Sequence, residues 1–216
     1  MEFNSKIFDH TCLKPFAKNE ELKKLCSEAA KFNFKTVAIN NAYIEYCKKE
    51  LKGTEILIDA AVSFPLGQST LETKVFETKD AIEKGAGEVD YVINIAQLKN
   101  KNYKYIEKEM SEIVEICRKK NITSKVIFEN CYLTDDEKIL LCEIANNIKP
   151  DFIKTSTGFG ISGATFEDVK LMRKHAKDYI KIKAAGGIKT KKNVLKYLEL
   201  GVSRIGCSSS VQIINE

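Results

Sequence analysis

No apolar run in this chain approaches the roughly 18 residues that a membrane span requires, and the opening MEFNSKIFDHTCLKP lacks the apolar core of a secretory leader. A cytoplasmic protein with no membrane partner is therefore expected. Low-complexity tracts are missing too. Only three prolines occur (Pro15, Pro65, Pro150) against 44% hydrophobic residues, which argues for a compact globular chain over a disordered or fibrous one. The seven cysteines (Cys12, Cys26, Cys47, Cys117, Cys131, Cys142, Cys207) are odd in number and form no C-x-x-C pair, so neither a disulfide framework nor a zinc site is indicated. There is no basic block with interleaved aromatics. The formal charge of +5 arises from lysines spread among glutamates, a pattern that argues against nucleic acid and leaves a mild attraction for phosphorylated metabolites. Nor is there a glycine-rich turn after the first strand, where HTCLKP stands, so no dinucleotide cofactor is expected.

What the sequence does contain is alternation. Short β-branched apolar runs (KIFDHT, TVAIN, EILIDAAVSF, EVDYVINI, KVIFEN, DFIKTS, IKIKAAGG, SRIGCSS) alternate with amphipathic stretches such as NEELKKLCSEAAKF, YKYIEKEMSEIVEICRKK and TDDEKILLCEIANNI. Thr134 followed by Glu137 forms a capping box, Thr165 and Thr190 stand at N-cap positions, and Gly85 and Gly201 fall where helices should stop. Eight strands, each mostly apolar on both faces and each followed by a helix, predict a parallel sheet covered by helices. The count fits a (β/α)8 TIM barrel spanning 1–216 as a single domain, in preference to an open doubly wound sheet. Such a barrel carries its active site at the C-terminal ends of its strands.

Side chains alternate along a strand, so parity sorts them into an interior and a helix-facing set. In EVDYVINI, Val89, Tyr91 and Ile93 oppose Asp90, Val92 and Asn94; in DFIKTS, Ile153 and Thr155 oppose Phe152, Lys154 and Ser156; in IKIKAAGG, Ile180 and Ile182 oppose Lys181 and Lys183. With the large apolar residues facing the helices, Asp90, Lys154 and Lys183 converge inside the barrel. Asp90 could serve simply as a structural ion pair, but two lysines against one aspartate leave an excess of positive charge. Burying an ammonium is expensive unless it is compensated or used. Lowering a lysine pKa from about 10.4 to ~7 takes roughly 4–5 kcal/mol. A second cation about 4 Å away contributes on the order of 4 kcal/mol at an effective dielectric of 20, and desolvation adds to it. A lysine so placed becomes a neutral amine able to attack a carbonyl and form a Schiff base.

Taken together, FDHTCLKP, FPLG, GAGEVDYVIN, KVIFENCYLT, DFIKTSTGF, SGATFEDVKLMR, IKAAGGIKT and RIGCSSS resemble deoxyribose-phosphate aldolases, in order and across nearly the whole chain. The resemblance implies a metal-free and cofactor-free class I aldolase acting on a phosphosugar. Lys154 would be the imine-forming residue, Lys183 the neighbouring cation and Asp90 the partner in proton transfer. It also implies a homodimer. The substrate phosphate is expected at the loops after the last strands, on Gly186, Gly187, Gly206, Ser208 and Ser209, with Gly158 in the wall of the same pocket. Lys189 stands where this family usually has arginine, and lysine cannot make the bidentate contact a guanidinium offers.

Asp9 and His10 admit either substrate contact or a core hydrogen-bonding role. Glu129 and Cys131 point the same way along the fifth strand without a catalytic assignment. Two rival functions are a different Schiff-base barrel enzyme and a non-enzymatic phosphosugar-binding barrel.

Overall fold

The computed structural model describes residues 3–216. Its eight strands close into a parallel barrel in sequence order: β1 Phe8–Cys12, β2 Thr36–Asn40, β3 Leu57–Val62, β4 Glu88–Val92, β5 Thr123–Ile127, β6 Phe152–Lys154, β7 Lys181–Ala185 and β8 Val202–Cys207. The helices that return the chain between strands are α1 Asn19–Phe32, α2 Ile44–Glu50, α3 Leu71–Lys84, α4 Ile95–Lys99, α5 Tyr103–Lys119, α6 Asp135–Ile148, α7 Phe166–His175 and α8 Lys191–Glu199, and α9 Ser210–Ile214 follows β8. This is the TIM barrel that the alternation predicts. None of the described helices is long and apolar enough to cross a membrane.

Local sequence accounts for the helix limits. Thr134 accepts from the Glu137 N–H while the Glu137 side chain returns to the cap backbone, and Thr165 and Thr190 accept from Asp168 and Asn193. Gly85 ends α3 in the left-handed region at φ 118°, where a Cβ would be strained. The strands are shorter than the apolar runs. DFIKTS supplies only Phe152–Lys154, and KIFDHT begins as a 3-10 turn over Ser5–Ile7. The five-residue α4 carries too few residues for an apolar period to show in the sequence.

The main core lies between barrel and helices. Val89, Tyr91 and Ile93 of the β4 segment, Ile153 of β6 and Ile182 of β7 are all fully buried in it, which leaves the alternate residues for the interior. A second device fixes the end of β4. Lys74 of α3 and Glu109 of α5, both fully buried, pair at 2.6 Å. Lys74 also donates to the Val92 carbonyl at 2.7 Å, and Glu109 accepts from the Asn94 N–H at 3.0 Å. The strand that bears Asp90 is thereby tied to two helices through its own backbone.

Candidate active site

Register brings the inward residues into line. Lys154 pairs with Lys183 across β6 and β7, Asp90 with Lys125 across β4 and β5, Asp59 with Glu88 across β3 and β4, and Lys183 with Arg204 across β7 and β8. The interior therefore holds more than parity on three strands selects. Four carboxylates (Asp9, Asp59, Glu88, Asp90) face four cations (Lys125, Lys154, Lys183, Arg204), all buried. The excess of positive charge expected from two lysines and one aspartate is corrected to an even balance. The same parity rule applied to β1, β3, β5 and β8 would have found Asp9, Asp59, Lys125 and Arg204, and Glu88 stands on β4 itself with the parity of Asp90.

Asp90 is the hub. Its Oδ2 accepts from Lys154 Nζ at 2.6 Å and from Lys183 Nζ at 2.7 Å, and its Oδ1 lies 2.8 Å from Lys125 Nζ. Lys183 also donates to Asp59 at 2.8 Å and meets Asp9 at 2.5 Å. Lys125 sits 2.8 Å from Asp59 and 2.7 Å from Glu88, as ion pairs whose angles lie outside hydrogen-bond geometry. Arg204 donates to Asp9 at 2.7 Å and to Glu88 at 2.9 Å. Oxygens of Asp9, Asp59 and Glu88 come within 4.8 Å of one another, a grouping that suits a divalent cation when unpaired. Here Lys125, Lys183 and Arg204 supply the positive charge.

The electrostatics separate the two lysines. Burial lowers the Lys154 pKa, Asp90 opposes this, and Lys183 lowers it further. Burial also disfavours charge on Lys183, but Asp59, Asp9 and Asp90 outweigh it and hold its ammonium above the ordinary lysine range. Desolvation, rather than the second lysine, is thus the leading reason that Lys154 loses its proton readily. Burial pushes Asp90 up, yet Lys125, Lys154 and Lys183 prevail and keep it ionised, well below the usual carboxylate range.

Of the three, Lys154 alone reaches the cavity of ≈ 440 Å³ at the C-terminal mouth of the barrel. Its Nζ lies 5.9 Å from the centre of the Phe64 ring, which packs edge-on against Phe159 at 5.4 Å. The cavity has an amine with a destabilised ammonium at its floor and an aromatic pair beside it. Gly158, Gly186, Gly187, Gly206, Ser208 and Ser209 all line the same space, as does Lys189. Gly187 adopts φ 76° with nothing within 4 Å of where a Cβ would stand, so its backbone is open to a ligand. Gly206 has a further reason to be glycine, because a Cβ there would approach Lys183 Cε to 3.0 Å.

The loop after β6 is packed onto the loop after β7 through glycines. A Cβ on Gly163 would fall 2.3 Å from the Gly186 carbonyl oxygen, and Ala164 N–H donates to Ala185 O and Gly186 O at 3.0 and 3.2 Å. Backbone must move to admit it. Gly163→Ala is expected to cost about 1–3 kcal/mol, seen as a melting temperature lowered by roughly 2–12 °C.

Asp9 takes a core role, whereas His10 both lines the cavity and makes hydrogen bonds beneath it. Asp9 belongs to the charge network and also accepts from the Thr36 hydroxyl at 2.8 Å. His10 lies 3.3 Å from Ser210 Oγ and 3.1 Å from Glu28 Oε2, tying β1 to α9 and α1. Glu129 and Cys131 lie beyond the end of β5, not along it. Glu129, in the left-handed region at φ 57°, accepts from the Thr157 N–H at 3.1 Å and from its hydroxyl, and Phe159 N–H donates to that hydroxyl at 3.0 Å. Its role is to shape the wall that carries Gly158.

The DeoC/LacD family aldolase model matches residues 5–208. A deoxyribose-phosphate aldolase of Lactobacillus acidophilus is 55% identical over 209 residues, covering 97% of this chain and 88% of that protein. One of Bacteroides thetaiotaomicron is 48% identical over 208 residues, covering 96% and 87%. The tetrameric deoxyribose phosphate aldolase of Aeropyrum pernix superposes with a TM-score of 0.88 at 28% identity, covering 98% of this chain and 89% of that one. The matched segment takes in every strand from β1 to β8, and on that ground the chain belongs to the DeoC/LacD family and is an aldolase.

Proposed function

We propose that the chain reversibly cleaves 2-deoxy-D-ribose 5-phosphate to D-glyceraldehyde 3-phosphate and acetaldehyde through an imine on Lys154. The observation that carries this reading is a buried lysine at the cavity whose ammonium is destabilised, hydrogen-bonded to an ionised aspartate that a second, charged lysine also holds. As a neutral amine, Lys154 adds to the C1 aldehyde of the open-chain sugar, and loss of water leaves a protonated imine. The C2–C3 bond then breaks. Its electron pair moves toward the iminium nitrogen to form an enamine, and the C3 hydroxyl gives up its proton as the carbonyl of glyceraldehyde 3-phosphate forms. Asp90, aided by Lys183 and by way of a water molecule, takes that proton. Forming the enamine removes the positive charge on Lys154, one of the three that hold Asp90 ionised, so Asp90 becomes more basic when a base is needed. Protonation of the enamine carbon and hydrolysis release acetaldehyde and restore the amine.

The phosphate is assigned to the backbone of Gly158, Gly186, Gly187 and Gly206, the hydroxyls of Ser208 and Ser209, and Lys189 at the rim. Coupled detection of glyceraldehyde 3-phosphate tests the reading. Release from deoxyribose 5-phosphate should be unaffected by EDTA and should far exceed release from fructose phosphates. Turnover of fructose phosphates alone would favour a different Schiff-base aldolase.

A further inference from the structure

The even balance of four carboxylates and four cations holds only while Lys154 is charged, as ammonium or as iminium. In the reaction proposed above, on which this inference rests, the iminium becomes a neutral enamine. A buried interior would then carry an uncompensated negative charge unless one carboxylate took up a proton in the same step. Bond cleavage releases one proton from the substrate hydroxyl, and the enamine carbon later requires one. The network therefore needs a place to hold a proton between the two events.

Geometry distinguishes the four candidates. Asp9 is engaged by Lys183, Arg204 and the Thr36 hydroxyl, and Glu88 by Arg204 and Lys125. Asp90 is engaged by three lysines. Asp59 meets only Lys125 from β5 and Lys183 from β7, each at 2.8 Å, with no guanidinium or hydroxyl donor. Asp9, Glu88 and Asp90 crowd it from β1 and β4. A continuous hydrogen-bonded path reaches it from the reactive amine: Lys154 Nζ to Asp90 Oδ2 at 2.6 Å, Asp90 Oδ2 to Lys183 Nζ at 2.7 Å, and Lys183 Nζ to Asp59 Oδ2 at 2.8 Å.

We infer that Asp59 stores the proton the substrate releases until the enamine carbon takes one up. As the electron pair of the breaking bond enters the enamine, Asp90 accepts the hydroxyl proton. It passes this proton to Lys183 while Lys183 hands one of its own to Asp59. Lys183 remains an ammonium, Asp59 becomes a neutral acid, and the network stays uncharged overall. The reverse sequence protonates the enamine. Asp59 touches neither substrate nor reacting atoms and acts through Lys183 and Asp90, so its place is that of a positioning residue. Burial first, and Asp90 second, push its carboxyl up to about 7, against the pull of Lys125 and Lys183.

Acetaldehyde alone provides the test. Its imine loses a methyl proton to give the same enamine, so exchange of methyl hydrogen in deuterated water, followed by NMR, reads the proton step. Borohydride trapping reads the imine itself. Because Asp59 favours the ammonium form of Lys154, Asp59→Asn should trap at least as well as wild type, while its methyl exchange falls about 10–100-fold. Wild-type exchange should rise with pH to a plateau near about pH 7, following the Asp59 carboxyl, and the variant should lack that inflection. Infrared difference spectra of the wild type across this range should show a buried carboxylic acid that Asp59→Asn removes. Three results would overturn the inference: exchange in the variant that matches wild type with its inflection intact, loss of trapping together with exchange in a folded variant, or no acid band in the wild type. If Asp59→Asn does not fold, Asp59→Glu takes its place in the infrared comparison, where the acid band should shift in frequency, and a band unchanged from wild type would overturn the inference. Absence of trapping in the wild type would instead remove the imine reading beneath it.

Discussion

Lys154→Met is expected to lose cleavage by on the order of 10⁴-fold or more, the scale on which removal of a covalent nucleophile acts, and to give no borohydride adduct with acetaldehyde. The same variant should be as stable as the wild type or more so. The Lys154 pKa is lowered by folding, which means that at neutral pH the unfolded chain holds this proton more firmly than the native state does. A group with that sign opposes folding below its ordinary pKa, and the opposition fades as pH rises. Methionine fills similar space beside Phe64 without an ammonium to desolvate. Lys154→Arg separates the two properties, since it restores a cation beside Asp90 and supplies no neutral amine near pH 7. It should be as inactive as Lys154→Met. Measurable cleavage or a trapped adduct in either variant would place the imine on another residue. A melting temperature well below wild type in Lys154→Met would contradict the direction of the pKa shift.

Legibility in the sequence followed the distance over which each feature is determined. Helices α1, α5 and α6 are long enough for a 3.6-residue apolar period and local caps to declare them, and their observed limits fall within a residue or so of the pattern. Strand ends were less legible, because the apolar runs around Lys154 and Asp59 continue past the last ladder bond into loops that are buried for other reasons. Alternation alone brought Asp90, Lys154 and Lys183 to one interior. It could not show that Lys183 is neutralised by three carboxylates arriving from β1, β3 and β4, since that depends on barrel closure and on the pairing of Asp59 with Glu88. The clamp of Lys74 and Glu109 on the end of β4 was equally hidden. Both residues lie on helices rich in charge, and only the packing of α3 against α5 removes them from water.

The second large effect concerns stability. Lys125 is fully buried, does not line the cavity, and is the cation shared by Asp59, Glu88 and Asp90. Burial disfavours its charge, but the surrounding carboxylates hold its ammonium well above the ordinary lysine value. A lysine with a raised native pKa contributes stability that is fully present below its unfolded value and is lost only as pH climbs through the native one. Across the neutral range that contribution is complete. Lys125→Met is therefore expected to lower stability by about 3–5 kcal/mol, the usual result of stripping one partner from a buried ion network, and melting temperature by roughly 6–20 °C. The loss should carry a pH signature. In the wild type, the Asp59 carboxyl, raised to about 7, binds a proton more tightly in the native state than in the unfolded one, so its contribution declines as pH rises toward 7. In the variant the carboxylates that have lost Lys125 join it. Denaturant melts between about pH 5 and pH 8 should then show stability falling with pH more steeply than in the wild type. Asp59→Asn added to Lys125→Met removes one negative charge along with the positive one and should recover part of the loss, whereas two independent packing defects would add. A double variant less stable than Lys125→Met would mean that shape, and not charge balance, holds this part of the barrel interior together.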